Sequence, residues 1–244
     1  MYSTSISRRS IWNGKMGTTF HHYFAELPRY IFSRGRNNRR IPPLYQLRHA
    51  YGSSRILRAG LSHGPVKLHL GCGPVVLPGW INIDARYHPG VVVMELPSGL
   101  KWFPDNAISF VYCSHMIEHV DYPDQVHQLA TEVHRILKPG GALRFVVPGI
   151  ERIIRAYVAD DKAFFKDQER FHPPSCTTKM EHLMYALQQH GEHKYGYDFE
   201  TAQKFLRRAG FTKISNSCYN DSEFPELRVD YRGKDFSLFV DAVK

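Results

Sequence analysis

Two glycines and a carboxylate are the first residues in this 244-residue chain whose types and spacing suggest chemistry. Leu70-Gly71-Cys72-Gly73 is followed, after one more apolar stretch, by Asp84. Glycine has no β-carbon, so a bound ligand can approach the main chain closely at such a turn. Backbone N–H groups there face the anionic end of a nucleoside, and a carboxylate after the next strand takes two ribose hydroxyls. Read without a ligand, the same residues are an ordinary turn between two buried strands. A second group is His115, Glu118 and His119, a His-x-x-Glu-His pattern that elsewhere marks zinc peptidases. On a helix, positions 115 and 119 share a face and allow metal binding. Because the pattern follows a strand, Glu118 and His119 are read as residues that cap and orient the segment, and no metal is assigned.

These groups need elements to hold them, and the hydrophobic pattern supplies them. Val66, Leu68 and Leu70 alternate with Lys67 and His69 as in a short strand ending at the glycine turn. Trp80 to Ile83 is a second strand ending in Asp84. Gly90 to Leu96, with the continuous run Val91 to Met94, reads as a strand buried on both faces. A loop over 97–106 leads to a strand at Ile108 to Ser114, which delivers His115. Helical spacing of Val126, Leu129, Val133, Ile136 and Leu137 predicts a helix over 124–137, stopped by Lys138-Pro139-Gly140-Gly141, with a strand at 142–147. Further helices are expected over 151–158 and 179–189 in an otherwise irregular stretch. Another runs from an Asp198 cap to Gly210. Strands over 211–219 and 236–243 form an antiparallel pair closing the sheet. The architecture predicted is α/β: a mostly parallel, doubly wound sheet with a terminal antiparallel strand, in three layers, with ligands at the carboxyl ends of the strands.

Composition bounds the function classes. Apolar residues make up 43% of the chain and no run is long enough to span a membrane, which fits a globular protein. Cys72, Cys113, Cys176 and Cys218 lack the paired spacing of a zinc knuckle or disulfide framework, so a reducing, cytoplasmic setting is expected. The net charge of +9 is unevenly spread. Residues 1–65 carry eleven Lys/Arg against Glu26 alone, a net +10, whereas 66–244 carry 21 against 22, a net −1. Residues 1–65 are therefore read as a basic arm, with an amphipathic helix over 21–32 and a linker over 34–43. Basic residues interleaved with aromatics suit an anionic membrane surface, and they suit a nucleic-acid backbone as well. The absence of a second basic patch in the body favours the membrane.

In order along the chain, the motifs resemble those of class I S-adenosylmethionine-dependent methyltransferases, in the small-molecule and glycan-type, methyltransferase-11-like branch. The resemblance rests on Leu70-Gly-Cys-Gly73, Asp84, Phe103-Pro-Asp-Asn106, Ser114-His-Met-Ile-Glu-His119 and Leu137-Lys-Pro-Gly-Gly141. His193-Lys-Tyr-Gly-Tyr-Asp198, Ala209-Gly-Phe211 and the terminal 237–244 extend it, so it covers residues 66–244. It implies S-adenosylmethionine as cofactor, with Leu70, Gly71, Cys72 and Gly73 against the methionine moiety, Asp84 on the ribose and Glu95 and Leu96 beside the adenine. Ser114 and His115 would face the sulfonium methyl. His115 is then the first candidate base for a hydroxyl acceptor, with His193 and His172 behind it in a lid that Tyr195 and Tyr197 help shape. Two departures stand out: Val75 replaces the third small residue, and the stretch from Gly73 to Trp80 is too short and Pro-rich for the customary crossover helix. A third is Ser109, where the family often carries an acid. The expected activity is methyl transfer to an oxygen of a small molecule or surface-glycan precursor. A nucleic-acid methyltransferase using the arm and a non-catalytic cofactor-binding module are the alternatives.

Overall fold

The computed structural model describes residues 64–86 and 88–244. The basic arm, with the helix expected over 21–32 and the linker over 34–43, lies outside the described residues. Strands β1 (Lys67–Leu70), β2 (Ile81–Asp84), β3 (Val92–Val93), β4 (Ile108–Ser114), β5 (Leu137–Pro148), β6 (Lys213–Ser217) and β7 (Ser237–Val243) form one sheet in the order β3-β2-β1-β4-β5-β7-β6. The pairs among β1 to β5 are parallel, and β7 runs antiparallel to both neighbours. Helices α1 (Asp124–Ile136), α2 (Ile150–Val158), α3 (Lys162–Gln168), α4 (Lys179–Gln188) and α5 (Phe199–Arg208) complete the regular structure. Among the described residues no helix is long and apolar enough to cross a membrane.

Side chains alternate across the sheet and define two packed layers. Leu68, Leu70, Val111, Cys113, Leu143 and Phe145 join Val126, Leu129 and Val133 of α1 and Phe205 and Leu206 of α5 in the larger core. On the opposite face Tyr112, Ala142, Val146 and Phe239 are covered by Leu227, Phe224, Val229 and Tyr231, from the irregular segment between β6 and β7. That segment is fixed by a buried ion cluster. Arg144, fully buried, donates to Asp230 at 2.6 and 3.0 Å, to Asp241 at 2.8 Å and to the Cys218 carbonyl at 2.7 Å. Helices α2, α3 and α4 pack on one another through Ile153, Ala156, Phe165 and Leu183, as a separate cap.

Several expectations are corrected. The third strand is only Val92–Val93, because β2, the strand it pairs with, ends at Asp84; Val91 to Met94 are nonetheless all buried. The loop expected over 97–106 contains a 3-10 turn at Ser98–Trp102, held by Arg135, which donates to the carbonyls of Leu100 at 3.0 Å and Phe103 at 2.9 Å. Strand β5 begins at Leu137, directly after α1, and 138–141 bulge out where the register shifts from Ile108–Leu137 to Phe110–Ala142. Helix α3 lies in the stretch expected to be irregular, and its cap is explicit: the Asp161 carboxylate accepts the Phe164 N–H at 2.9 Å.

No helix joins β1 to β2, as the prolines require. Asn82 does the positioning instead. Its Oδ1 accepts the Leu77 N–H at 2.9 Å, and its Nδ2 donates to the carbonyls of Leu77 at 3.1 Å and Trp80 at 3.0 Å. His69 on β1 adds a contact to the same side chain at 3.0 Å, so the loop is pinned from within the sheet.

Candidate functional site

Register alone brings the predicted residues to one edge. Leu70 pairs with Ile83 on one side and Cys113 on the other, so Gly71, Asp84 and Ser114 stand level at the carboxyl ends of β1, β2 and β4. The Gly73 N–H donates to Asp84 Oδ2 at 2.7 Å and the Arg86 N–H to Oδ1 at 2.7 Å. Each carboxylate oxygen keeps a lone pair, which is what a ribose diol needs. Glu95 and Leu96 follow β3 on the same edge, where the Met94 N–H bonds the Asp84 carbonyl at 2.8 Å.

Other parts of the glycine turn do not behave as expected. The Leu70 side chain is in the core, and so is Cys72, whose burial pushes its thiol up to about 12. Gly71 is not bare for a ligand: a β-carbon there would overlap Cγ and Cβ of Met116. The N–H groups of Cys72 and Gly73 are spent on the Ile83 carbonyl and on Asp84, so neither is available to an anion. Only Gly73, at φ +53 with open space where a side chain would stand, keeps the expected clearance.

His115 sits past the end of β4 in the left-handed region, at φ +51. A non-glycine residue held there costs energy and recurs at functional sites. Its Nε2 lies 3.0 Å from Ser237 Oγ, and its Nδ1 lies 3.3 Å from Glu118 Oε1. Gly233 makes room for this contact, since a β-carbon there would overlap Ser237 Oγ. The ring opens onto a cavity of about 410 Å³ between the sheet edge and the cap, walled by Glu118, His119, His193, Phe164, Tyr185 and Arg232 among others. Gly71, Gly73, Asp84, Glu95 and Leu96 are not among its walls, so His115 stands between two distinct regions.

His193 reaches this cavity because the Lys194 and Tyr195 N–H groups bond the Glu118 carbonyl, at 2.6 and 3.4 Å. Its Nδ1 is 2.8 Å from the Ala186 carbonyl, and burial lowers its pKa. His172 also lines the cavity; burial, and then its neighbour His182 at 2.8 Å, lower it to about 4. Tyr195 and Tyr197 do not form the expected lid. Tyr195 stacks on Tyr122, and Tyr197 is buried in the main core against Phe205. Ser237 and Arg232 were not legible as site residues, because they come from the strand and loop that close the opposite face. Gly233, four residues before Ser237, is the one signal that could have pointed to them.

Residues 78–145 match the family described as a methyltransferase domain. A probable methyltransferase of Aspergillus luteorubrus is 38% identical over 58 residues, 22% of this chain; the chain spans only 20% of that relative's length. Among solved structures, an S-adenosylmethionine-dependent methyltransferase of Archaeoglobus fulgidus aligns over 80% of this chain and 94% of its own, at 17% identity and TM-score 0.46. One from Thermotoga maritima aligns over 93% and 99%, at 15% identity and TM-score 0.44. The family match, over residues 78–145, is to a methyltransferase domain and takes in Asp84, Ser114 and His115.

The donor set fits S-adenosylmethionine at its nucleoside end. Asp84 presents free lone pairs at the strand edge, the space beside Gly73 is open, and Ser114 and His115 follow on the adjoining strand. Asp84 would hold the ribose hydroxyls, with Glu95 and Leu96 beside the base.

Proposed function

We propose that this chain transfers a methyl group from S-adenosylmethionine to an oxygen of a small molecule or surface-glycan precursor. The observation that carries the reading is the position of His115, whose main chain continues β4 beside Ser114 and whose ring faces the 410 Å³ cavity. That volume lies in the range of small-molecule pockets, about 300–1,000 Å³, which supports a compact acceptor over a polymer. When bound, S-adenosylmethionine supplies an electrophilic methyl group on its sulfonium.

The chain's own residues align the acceptor and take its proton. His115 Nε2 takes the proton of an acceptor hydroxyl entering from the cavity by way of the Ser237 hydroxyl, which sits 3.0 Å from that nitrogen. The Glu118 carboxylate, 3.3 Å from Nδ1, places a negative charge beside the ring. Ser237 holds the ring in this orientation through its hydroxyl. Arg232, in the cavity wall, supplies positive charge for a phosphate or carboxylate on the acceptor.

The test uses S-adenosylmethionine labelled in its methyl group, with sugar nucleotides and phenols set against amines. O-linked label is expected, with turnover lowered about 10²–10⁴-fold in His115→Ala while cofactor affinity holds. Label confined to nitrogen, or full activity in His115→Ala, would overturn the assignment.

A further inference from the structure

We propose that Glu118, His119 and His193 bind a divalent first-row transition ion, zinc by preference, in the wall of the cavity. One ligand atom from each of the three lies within 4.8 Å of the others. The cluster differs from the sequence pattern that hinted at a metal. Ile117–His119 is a single 3-10 turn and His115 precedes it, turned to Ser237, so the third ligand comes instead from the distant His193.

Three observations point to an ion. Glu118 is 1% exposed, and neither of its carboxylate oxygens has a hydrogen-bond partner. A buried charge so placed is costly unless something pairs with it, and His115 Nδ1 reaches only an ion-pair distance on one side. Both histidines are also set up as ligands. His119 Nδ1 lies 3.1 Å from the Glu192 carbonyl and His193 Nδ1 lies 2.8 Å from the Ala186 carbonyl. A carbonyl only accepts, so each Nδ1 carries the hydrogen and each Nε2 presents its lone pair, the outer-shell arrangement of metal-bound histidine. Finally, the Lys194 and Tyr195 N–H bonds to the Glu118 carbonyl clamp the two contributing segments together.

Two imidazoles and a carboxylate suit zinc and leave its fourth position open. At zinc–ligand bonds of about 2.0–2.2 Å the ligand atoms would stand roughly 3.4 Å apart, a spacing inside the 4.8 Å within which the three already lie, so at most a small side-chain movement is needed. His119, the exposed member, has room for it. Glu118, His119 and His193 line the same cavity as His115, so an ion held by them would be within reach of the oxygen of a hydroxyl acceptor. That use of the ion rests on the methyltransferase reading; binding of the ion does not.

Full-length protein stripped with chelator is titrated with Co²⁺ and followed by visible absorbance, and zinc content is measured after reloading. One equivalent is expected, with ligand-field bands and no thiolate-to-cobalt charge transfer. The absence of charge transfer separates this site from His172, Cys176 and His182, the other cluster with metal-binding geometry among the described residues. Glu118→Gln and His119→Ala should each weaken binding by more than the roughly 10–100-fold that loss of an outer-shell partner costs. Cys176→Ser should leave it unchanged. Thermal melts establish folding, and His119→Ala, at an exposed position, keeps the test open if Glu118→Gln unfolds. A charge-transfer band, affinity unchanged in His119→Ala, or no binding of either ion would overturn the site. Calorimetry with S-adenosylmethionine on the stripped wild type separates the two readings. Cofactor binding without metal binding sinks only the metal site, and metal binding without cofactor binding sinks only the methyltransferase reading.

Discussion

Two glycines that look alike in sequence do different work. Gly73→Ala meets open space at φ +53 and should cost only the left-handed backbone penalty, about 1–2 kcal/mol. Gly71→Ala carries that penalty at φ +63 and must also expel Met116, adding about 1–3 kcal/mol of overpacking. Denaturant melts of the two variants check the order. Asp84→Ala should weaken S-adenosylmethionine binding by about 1.5–3 kcal/mol per charged hydrogen bond lost; unchanged affinity in calorimetry would remove Asp84 from the site. His69 gives a pH dependence. Burial holds it down at about 4, so the folded protein keeps it neutral while the unfolded chain takes up a proton below about 6.5. Its contribution is complete above that value and declines as pH falls towards 4, by about 3 kcal/mol in all. In urea melts across that window His69→Gln should flatten the slope. At this scale the sequence showed which residues mark the edge of the sheet. It did not show which way they face, because Leu70 and Cys72 turn inward and Met116 fills the gap at Gly71 through tertiary contacts that no local pattern encodes.

Elements were more legible than residues wherever apolar periodicity was long. The Asp124 helix, the Asp198 cap and the final antiparallel pair follow directly from spacing and capping chemistry; the Thr201 N–H donates to Asp198 Oδ1 at 2.8 Å as the cap requires. Short elements such as the two-residue β3 and the seven-residue α3 were mis-sized or missed, because few residues give little periodicity and the sheet edge or cap decides them. What replaces the first crossover helix was also invisible: one side chain, Asn82, satisfies the loop's polar groups. Asn82→Leu should therefore destabilise the fold by about 2 kcal/mol or more, since it leaves the Leu77 amide and the Leu77 and Trp80 carbonyls unpaired. Arg144→Met should cost about 3–5 kcal/mol by stranding the buried carboxylates of Asp230 and Asp241. Chemical denaturation of both variants, with the wild type beside them, measures these losses.

At the scale of the molecule, charge and connectivity matter more than any single contact. The proposal for the basic arm is contact with anionic headgroups, where each Lys or Arg near the surface contributes about 1 kcal/mol. Replacing Arg34, Arg36, Arg39 and Arg40 by Gln in the full chain should release it from vesicles rich in phosphatidylserine while cofactor affinity stays constant; retention on those vesicles in a sedimentation assay would refute the contact. The described body joins its parts in a way the chain order hides. Met116 lies in the gap at Gly71 and sits in sequence between His115 and Glu118. The turn beside the nucleoside edge and the histidine-rich turn beside the cavity are therefore wedged against one thioether. A movement of one presses on the other, and whatever change in affinity a molecule on one side causes at the other side is returned by the same factor.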